Sequence, residues 1–307
     1  MRSRGSERGK GETLLRLESR PLIVYLNGRF VPREEAKISP EDRGFVFADA
    51  IYEVVRFNRG RPYRLSEHMD RMRDGLQAIR IAADPGFFPA VASRLIEENR
   101  LDGDDVLVYA QVSRGVAPRY HAFPPPETEP TIFAFARPTD PPPPSGGGRA
   151  ILAPDERWAR CDVKSVMLLA NVLAAQKARE ANAVEAILVR DGIAWEGTKA
   201  NLFAFRDGVV RTAPKGPRIL PGVTRGAALE AASGLGFRVE ERPLSVEELF
   251  SSEELFLAST TLWTYPLVEV DGRPIGDGRP GPVAARLCEV LQTEFRSTLS
   301  GRLDGGR

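Results

Sequence analysis

Cysteine is nearly missing from this 307-residue chain. Cys161 and Cys288 are the only two, which excludes a disulfide framework and any cysteine-rich metal centre. Histidine is as scarce: with His68 and His121 alone, no zinc site and no other metal site is expected. No run approaches the roughly 18 apolar residues of a membrane-spanning helix. The polar opening MRSRGSERGKGE lacks the apolar stretch of a signal peptide, so a cytoplasmic protein without membrane contact is expected. An excess of charge of one sign is lacking too. Forty-three basic against 42 acidic residues leave +1, which speaks against nucleic-acid binding through a broad basic surface. Twenty-eight Gly and 25 Pro are too few for a low-complexity chain. The 42% of hydrophobic residues are enough for a substantial core.

Lysine is the informative scarcity. Lys10, Lys37, Lys164, Lys177, Lys199 and Lys215 are the whole set among 43 basic residues; arginine supplies the other positive charges. Arginine does not deprotonate near neutrality, whereas a lysine can serve as a nucleophilic amine. Each lysine therefore carries more information here than in a lysine-rich protein.

Residues 1–20 are charged and aperiodic and read as a leader without fixed structure. From Leu22 the pattern is one of short strands with tight turns. Asn27-Gly28 separates LIVYL from RFV, a type I′ hairpin signal because both central residues take positive φ. Asn58-Arg59-Gly60 marks a second hairpin. Ser66 reads as the N-cap of a helix on which Met69, Met72, Leu76 and Ile79 share one face. Another helix begins at Pro89 and runs to about Arg100. VLVYAQVSR and TIFAFA are strands. Pro141 to Pro144, Ser145 and Gly146 to Gly148 form the clearest linker. Beyond it, Asp191-Gly192, Asp207-Gly208 and Asp271-Gly272 punctuate strands. Helices are expected over roughly Ser165–Asn182 and after Pro221-Gly222, the latter stopping near Gly234 or Gly236.

This describes an α+β chain. A smaller N-terminal unit spans 21–136, a linker 137–148, and a larger unit with a mixed or antiparallel sheet 149–298, with a tail over 299–307. The hairpins disfavour a doubly wound parallel sheet. GxxxxGK[ST] does not occur, so the P-loop reading lacks its signature.

Several residues could carry chemistry, and the residues alone leave each open. Lys164, just ahead of an apolar helix, is either a Schiff-base nucleophile or a lysine with its head in water. Glu196 and Asn201 lie in the turn WEGTKANLF, where an acid is usually just solvated. Gly222, Val223 and Thr224 open a helix, where free N–H groups and the macrodipole favour a phosphate; an ordinary Pro-Gly helix start looks the same. Ser259-Thr260-Thr261 offers hydroxyls or simply ends a strand.

Taken together, these segments resemble the class IV pyridoxal-phosphate aminotransferases over about Leu22–Phe295. ISPEDRGFVFADAIYEVVR matches the family's opening stretch and EHMDRM its following helix. The resemblance implies a two-domain fold type IV enzyme using pyridoxal 5'-phosphate. Lys164, in RWARCDVKS, would hold the cofactor as a Schiff base. Glu196, 32 residues on in EGTKAN, would face the pyridine nitrogen. Arg71 would grip the phosphate together with Val223 and Thr224 of LPGVTR and Thr260 of STT. Within the family, the D-amino acid aminotransferases are most similar. They trap the substrate carboxylate with a tyrosine, an arginine and a histidine, which here are Tyr52, and Arg119 and His121 of SRGVAPRYHAFP. A homodimer acting on amino and keto acids is implied. His68 is expected on the helix surface. The alternatives within the family are a branched-chain L-amino acid or (R)-amine aminotransferase and an aminodeoxychorismate-lyase-like enzyme. Two departures stand out. Thr198-Lys199-Ala200 replaces consecutive serines, and Leu262-Trp263 replaces small and acidic residues, adding bulk to a cofactor-side wall.

Overall fold

The computed structural model describes residues 22–140 and 146–297. The leader, Pro141–Ser145 of the linker, and the tail from 298 onward lie outside the described residues. Six strands form the first sheet: β1 Ile23–Leu26, β2 Arg29–Pro32, β3 Ala50–Asn58, β4 Arg61–Pro62, β5 Asp105–Ser113 and β6 Thr131–Pro138. Their order is β2-β1-β6-β5-β3-β4, antiparallel throughout. The Asn27-Gly28 turn has φ of 45° and 85°, the left-handed pair that its sequence demands.

Two helices cover one face of this sheet, Leu65–Ala78 and Phe88–Glu98. Met69, Met72 and Leu76 from the first pack with Phe88, Leu95 and Ile96 from the second against Ile51, Val55 and Val108. The 3.6-residue periodicity of the helices and the two-residue alternation of β3 thus meet in one core. The first helix begins at Leu65, one residue ahead of the expected cap. Its N-cap is Arg64 in the left-handed region, without a side-chain capping bond. Ser66 is therefore inside the helix: Arg64 is tied down by Glu230 and Glu294 at 2.7 and 2.9 Å, which sets the helix start from outside.

Ten strands form the second sheet: β7 Gly148–Pro154, β8 Glu185–Arg190, β9 Ile193–Gly197, β10 Asn201–Arg206, β11 Val209–Thr212, β12 Arg238–Glu241, β13 Leu244–Ser245, β14 Glu254–Ser259, β15 Trp263–Val270 and β16 Arg273–Pro274. The order is β12-β11-β10-β14-β15-β7-β8-β9-β13, with parallel pairs at β7–β8, β7–β15 and β11–β12. β9 also pairs with β10, through Glu196 opposite Asn201. The strands from β10 round to β9 therefore close into a barrel. Its inside is filled by Ile187, Ala194, Leu202, Leu255, Leu257 and Leu267.

Helices Val223–Gly234 and Pro282–Ser297 pack on the outside, with Phe203, Phe256 and Trp263 beneath them. Glu254 caps the second of these, accepting from Val283 and Ala284 N–H at 2.9 and 3.0 Å, where a carboxylate also suits the positive helix end. Among the described residues no helix is long and apolar enough to cross a membrane.

The helix expected over Ser165–Asn182 is shorter, Leu169–Glu180. The preceding segment is instead bonded along β3: Tyr52 N–H donates to the Lys164 carbonyl at 2.9 Å and Val166 N–H to the Ala50 carbonyl at 3.1 Å. Strand pairing claims those backbone groups before a helix can use them.

Candidate active site

A cavity of about 240 Å³ lies between the two sheets. From the first come Tyr52 and Val54 of β3 and Arg71; from the second come Lys164, Glu196 to Asn201, Gly222 to Thr224 and Ser259 to Thr261. Seven of the nine expected site residues thus meet at one place: Tyr52, Arg71, Lys164, Glu196, Val223, Thr224 and Thr260. The extension of β3 that pins the Lys164 backbone also sets its side chain over Tyr52. The ammonium sits 4.4 Å from the ring centre, a cation held on the negative face of the π system. Tyr52 is itself stacked on Tyr109 at 5.5 Å.

Glu196 is buried, 4% exposed, and accepts from three donor residues. Arg157 Nη1 donates to it in a short contact. Asn201 Nδ2 donates at 2.9 Å and Leu220 N–H at 3.1 Å. Burial dominates all the same and pushes its carboxyl up to about 7. The Arg157 guanidinium offsets this only in part, because it also serves Asp155, which it meets at 2.9 and 3.0 Å. Sequence reasoning does not single out Arg157, since an arginine in a polar loop carries no distinguishing signal.

Arg71 lines the cavity with its fork closed on Glu53, Nη2 at 2.6 Å and Nε at 2.9 Å, and with Nη1 on the Pro221 carbonyl at 3.2 Å. His68 Nδ1 stands 3.1 Å from the same carboxylate. Burial works against ionisation of Glu53, but the Arg71 charge, aided by His68, holds its carboxyl well below the usual range. His68 is 1% exposed, so the expectation of a surface histidine is corrected: Glu53 draws it inward, and burial keeps its pKa low. Glu53 is also missed by sequence reasoning, although a signal exists. It shares strand parity with Ile51, Val55 and Phe57, all buried, and an acid on an apolar strand face needs a partner.

At the opposite wall, helix Val223–Gly234 starts from Gly222 without a side-chain cap. Its first-turn N–H groups are thus available to an anion. Gly222 is required here, since a Cβ would lie 2.1 Å from Asn201 Oδ1. Thr224, Thr260 and Thr261 add hydroxyls. The Thr260 carbonyl accepts from Arg56 Nη1 at 3.3 Å, and Arg56 lies 4.5 Å over the Trp263 ring. Trp263 does not add bulk to the cavity wall as expected. It is 5% exposed, packed edge-on against Tyr63 at 5.2 Å, because its left-handed backbone (φ 57°) turns it into the core behind the cavity.

Arg119 and His121 are not among the cavity-lining residues; both are exposed. They are displayed together on Phe47, with the Arg119 guanidinium 5.1 Å and the His121 ring 5.5 Å from its centre. Arg43, buried beneath, donates to the Tyr120 carbonyl at 2.6 Å and to Asp49 at 2.9 Å, fixing the loop that carries the pair.

The cavity wall thus combines a half-buried lysine, a buried carboxylate, an arginine, first-turn N–H groups and hydroxyls. Comparison with known proteins places the chain in a family. A family model for amino-transferase class IV matches residues 50–270. The D-alanine aminotransferase of Bacillus licheniformis is 38% identical over 281 residues, covering 89% of this chain and 97% of that one. That of Staphylococcus haemolyticus is 38% identical, covering 90% and 99%. Among solved structures, the branched-chain amino acid aminotransferase of Escherichia coli superposes with a TM-score of 0.82 at 25% identity, covering 93% of this chain and 98% of that one. The T.th. branched-chain amino acid aminotransferase, complexed with N-(5'-phosphopyridoxyl)-L-glutamate, does so with a TM-score of 0.79 at 26% identity, covering 93% and 96%. With the cavity, the strand order and the family match in agreement, the chain belongs to the class IV aminotransferases, in the two-domain α+β fold of type IV.

Proposed function

We propose that this protein is a pyridoxal-phosphate-dependent transaminase that moves an amino group from a D-amino acid to a 2-keto acid. The observation that carries the reading is the pairing of Lys164, free on the face of Tyr52, with the buried Glu196 in the same cavity. The D-amino acid preference rests on the 38% identity to D-alanine aminotransferases and on the Arg119/His121 pair, which argues against a branched-chain L-substrate.

The residues present fit the cofactor. Lys164 would carry it, Glu196 would accept from its ring nitrogen, and Arg71, the N–H groups at Val223 and Thr224, and the Thr224 and Thr260 hydroxyls would hold its phosphate. When bound, pyridoxal phosphate supplies an aldehyde that condenses with amines and a ring that withdraws electrons from the adjoining carbon. Lys164 Nζ, as a free amine, would take the proton from the substrate α-carbon as general base. Tyr52 holds it at the mouth of the same cavity, beside the substrate carboxylate that its phenol binds. Glu196, kept in place by Arg157 and Asn201, fixes the protonation of the ring nitrogen.

Arg119 and His121 reach the cavity of a second copy of the chain in a homodimer. Their exposure fits this, and so do large apolar side chains exposed elsewhere on the chain. Phe45 is 78% and Tyr120 73% exposed, and Leu169, Val172 and Leu173 stand out from the helix next to the Lys164 segment. Large apolar groups exposed on a folded chain favour association.

The test is a half-reaction panel. Protein loaded with pyridoxal phosphate is mixed separately with D-alanine, L-leucine and an (R)-amine, and the visible absorbance of the cofactor is followed. D-alanine should bleach it and release pyruvate. Preferential bleaching by L-leucine or the amine, or none at all, overturns the reading.

A further inference from the structure

Lys199 stands at the apex of the turn Gly197–Ala200, on the cavity wall. The turn is held from three directions. Gly197 N–H donates to the Ala200 carbonyl at 2.8 Å. Asn171 Nδ2 donates to the Thr198 carbonyl at 2.7 Å. Thr198 gives its N–H at 3.0 Å, and its hydroxyl in a short contact, to the Glu185 carboxylate, which is 1% exposed. A Cβ on Gly197 would meet Glu185 Cδ at 2.9 Å, so the backbone is seated directly on that carboxylate. A base fixed this tightly leaves the four-carbon side chain of Lys199 as the part free to move, and it is exposed.

The charges around the cavity can be followed one by one. Arg71 is bound to Glu53. Arg157 is shared between Glu196 and Asp155. Lys164 is the amine used by the reading above. Lys199 remains: its ammonium makes no hydrogen bond or ion pair with any described residue. It feels the Glu185 carboxylate only through space. Glu185 gives Oε1 to Thr198 and keeps Oε2 buried without a partner, and the Lys199 ammonium bonds to neither this carboxylate nor Glu196. A cation left open on a cavity wall, on a rigid base and within reach of solvent, is a receptor for an anion that arrives with the ligand.

We propose that Lys199 binds a second carboxylate on the substrate and so selects dicarboxylic amino and keto acids over monocarboxylic ones of equal length. The proposal rests on the transaminase reading for the substrate's orientation: Tyr52, Arg119 and His121 take the α-carboxylate, and Lys199, at the exposed edge of the cavity, takes the far end. An ammonium on a flexible stem suits this, since it binds as a point charge and follows side chains of different length. Lys199 is a specificity-determining residue in this scheme and takes no part in bond making.

The test uses the cofactor-loaded protein and two probes of related shape, glutarate and butyrate, with binding followed by the cofactor's absorbance. Wild type should bind glutarate about tenfold more tightly, the size of one partly solvated charge-assisted hydrogen bond. Lys199→Met should bring the ratio near one, and Lys199→Arg should keep most of it. In half-reactions, the kcat/KM ratio of D-glutamate to D-norvaline should fall about tenfold in Lys199→Met, through KM more than kcat. An unchanged ratio, or equal losses on both members of each pair, overturns the proposal, as does a wild type that does not prefer glutarate. Failure of every D-amino acid to react would instead refute the substrate assignment above, while the glutarate preference would still report on Lys199. Lys199→Ser serves as a second neutral variant.

Discussion

Arg71 is closed on Glu53, with two nitrogens 2.6 and 2.9 Å from the carboxylate. The pair is buried, and removing one partner strands the other. Glu53→Gln should cost about 3 kcal/mol in urea unfolding of the cofactor-free protein. It should also weaken retention of pyridoxal phosphate, because the guanidinium loses its orientation. Unchanged unfolding and unchanged retention would show that the pair positions nothing.

The Tyr52 ring and its hydroxyl are separable. Tyr52→Phe keeps the aromatic face under Lys164 and removes the phenol. KM for D-amino acids should rise about tenfold, the value of one hydrogen bond to a carboxylate, with the cofactor still bound. Lys164→Ala should abolish turnover outright, and borohydride should no longer fix the cofactor to the protein. Persistent turnover in that variant would remove the lysine from the chemistry.

Burial pushes the Glu196 carboxyl up to about 7, above the usual 4.5. Between these values the folded protein keeps a proton that the unfolded chain has released. This group's contribution to stability is therefore full below about 4.5 and is lost as pH rises toward 7. His68, whose pKa is lowered, contributes with the opposite slope, so the comparison is wild type against Glu196→Gln. Cofactor-free wild type should lose stability relative to the variant across this window. Cofactor affinity runs the other way. A protonated Glu196 has lost the charge that holds a protonated ring nitrogen, so dissociation should rise as pH falls below 7. Parallel curves for the two proteins in chemical denaturation and in cofactor titration would refute both statements.

Arg119 and Lys164 lie on different parts of one chain, and the proposed homodimer brings them together between chains. Arg119→Ala and Lys164→Ala should each be inactive with amino acids at ordinary concentrations. Mixed, refolded together in equal amounts, they should recover on the order of a quarter of wild-type activity, since half the dimers carry one complete site. No recovery would place both residues within one subunit's site or remove Arg119 from it.

The turns are the most legible part of the fold. Asn27-Gly28, Asp191-Gly192, Asp207-Gly208 and Asp271-Gly272 all have positive φ at both positions, a local demand that local sequence can meet. The cavity wall made by Lys164, Glu196, Val223, Thr224 and Thr260 is legible through motif order. What sequence does not show is pairing at a distance. His68 reads as a surface residue because nothing near it in the chain says that Glu53 will face it from another element. Trp263 reads as part of the cavity wall because its inward turn depends on one left-handed residue and on Arg56, Tyr63 and Phe295. Ser165–Leu168 reads as helix because the strand that competes for its backbone, Ala50–Asn58, is far away along the chain.

The barrel of the second sheet is zipped by full ladders along most of its circumference and joined by a single residue pair, Glu196 with Asn201. That backbone seam lies on the wall of the cavity, and the Glu196 carboxylate reinforces it by accepting from Asn201 Nδ2 at 2.9 Å. Whatever bonds to Glu196 from within also fastens the cylinder shut. Filling the cavity and tightening the scaffold are then one event, so resistance to heat should track how much of the population is loaded.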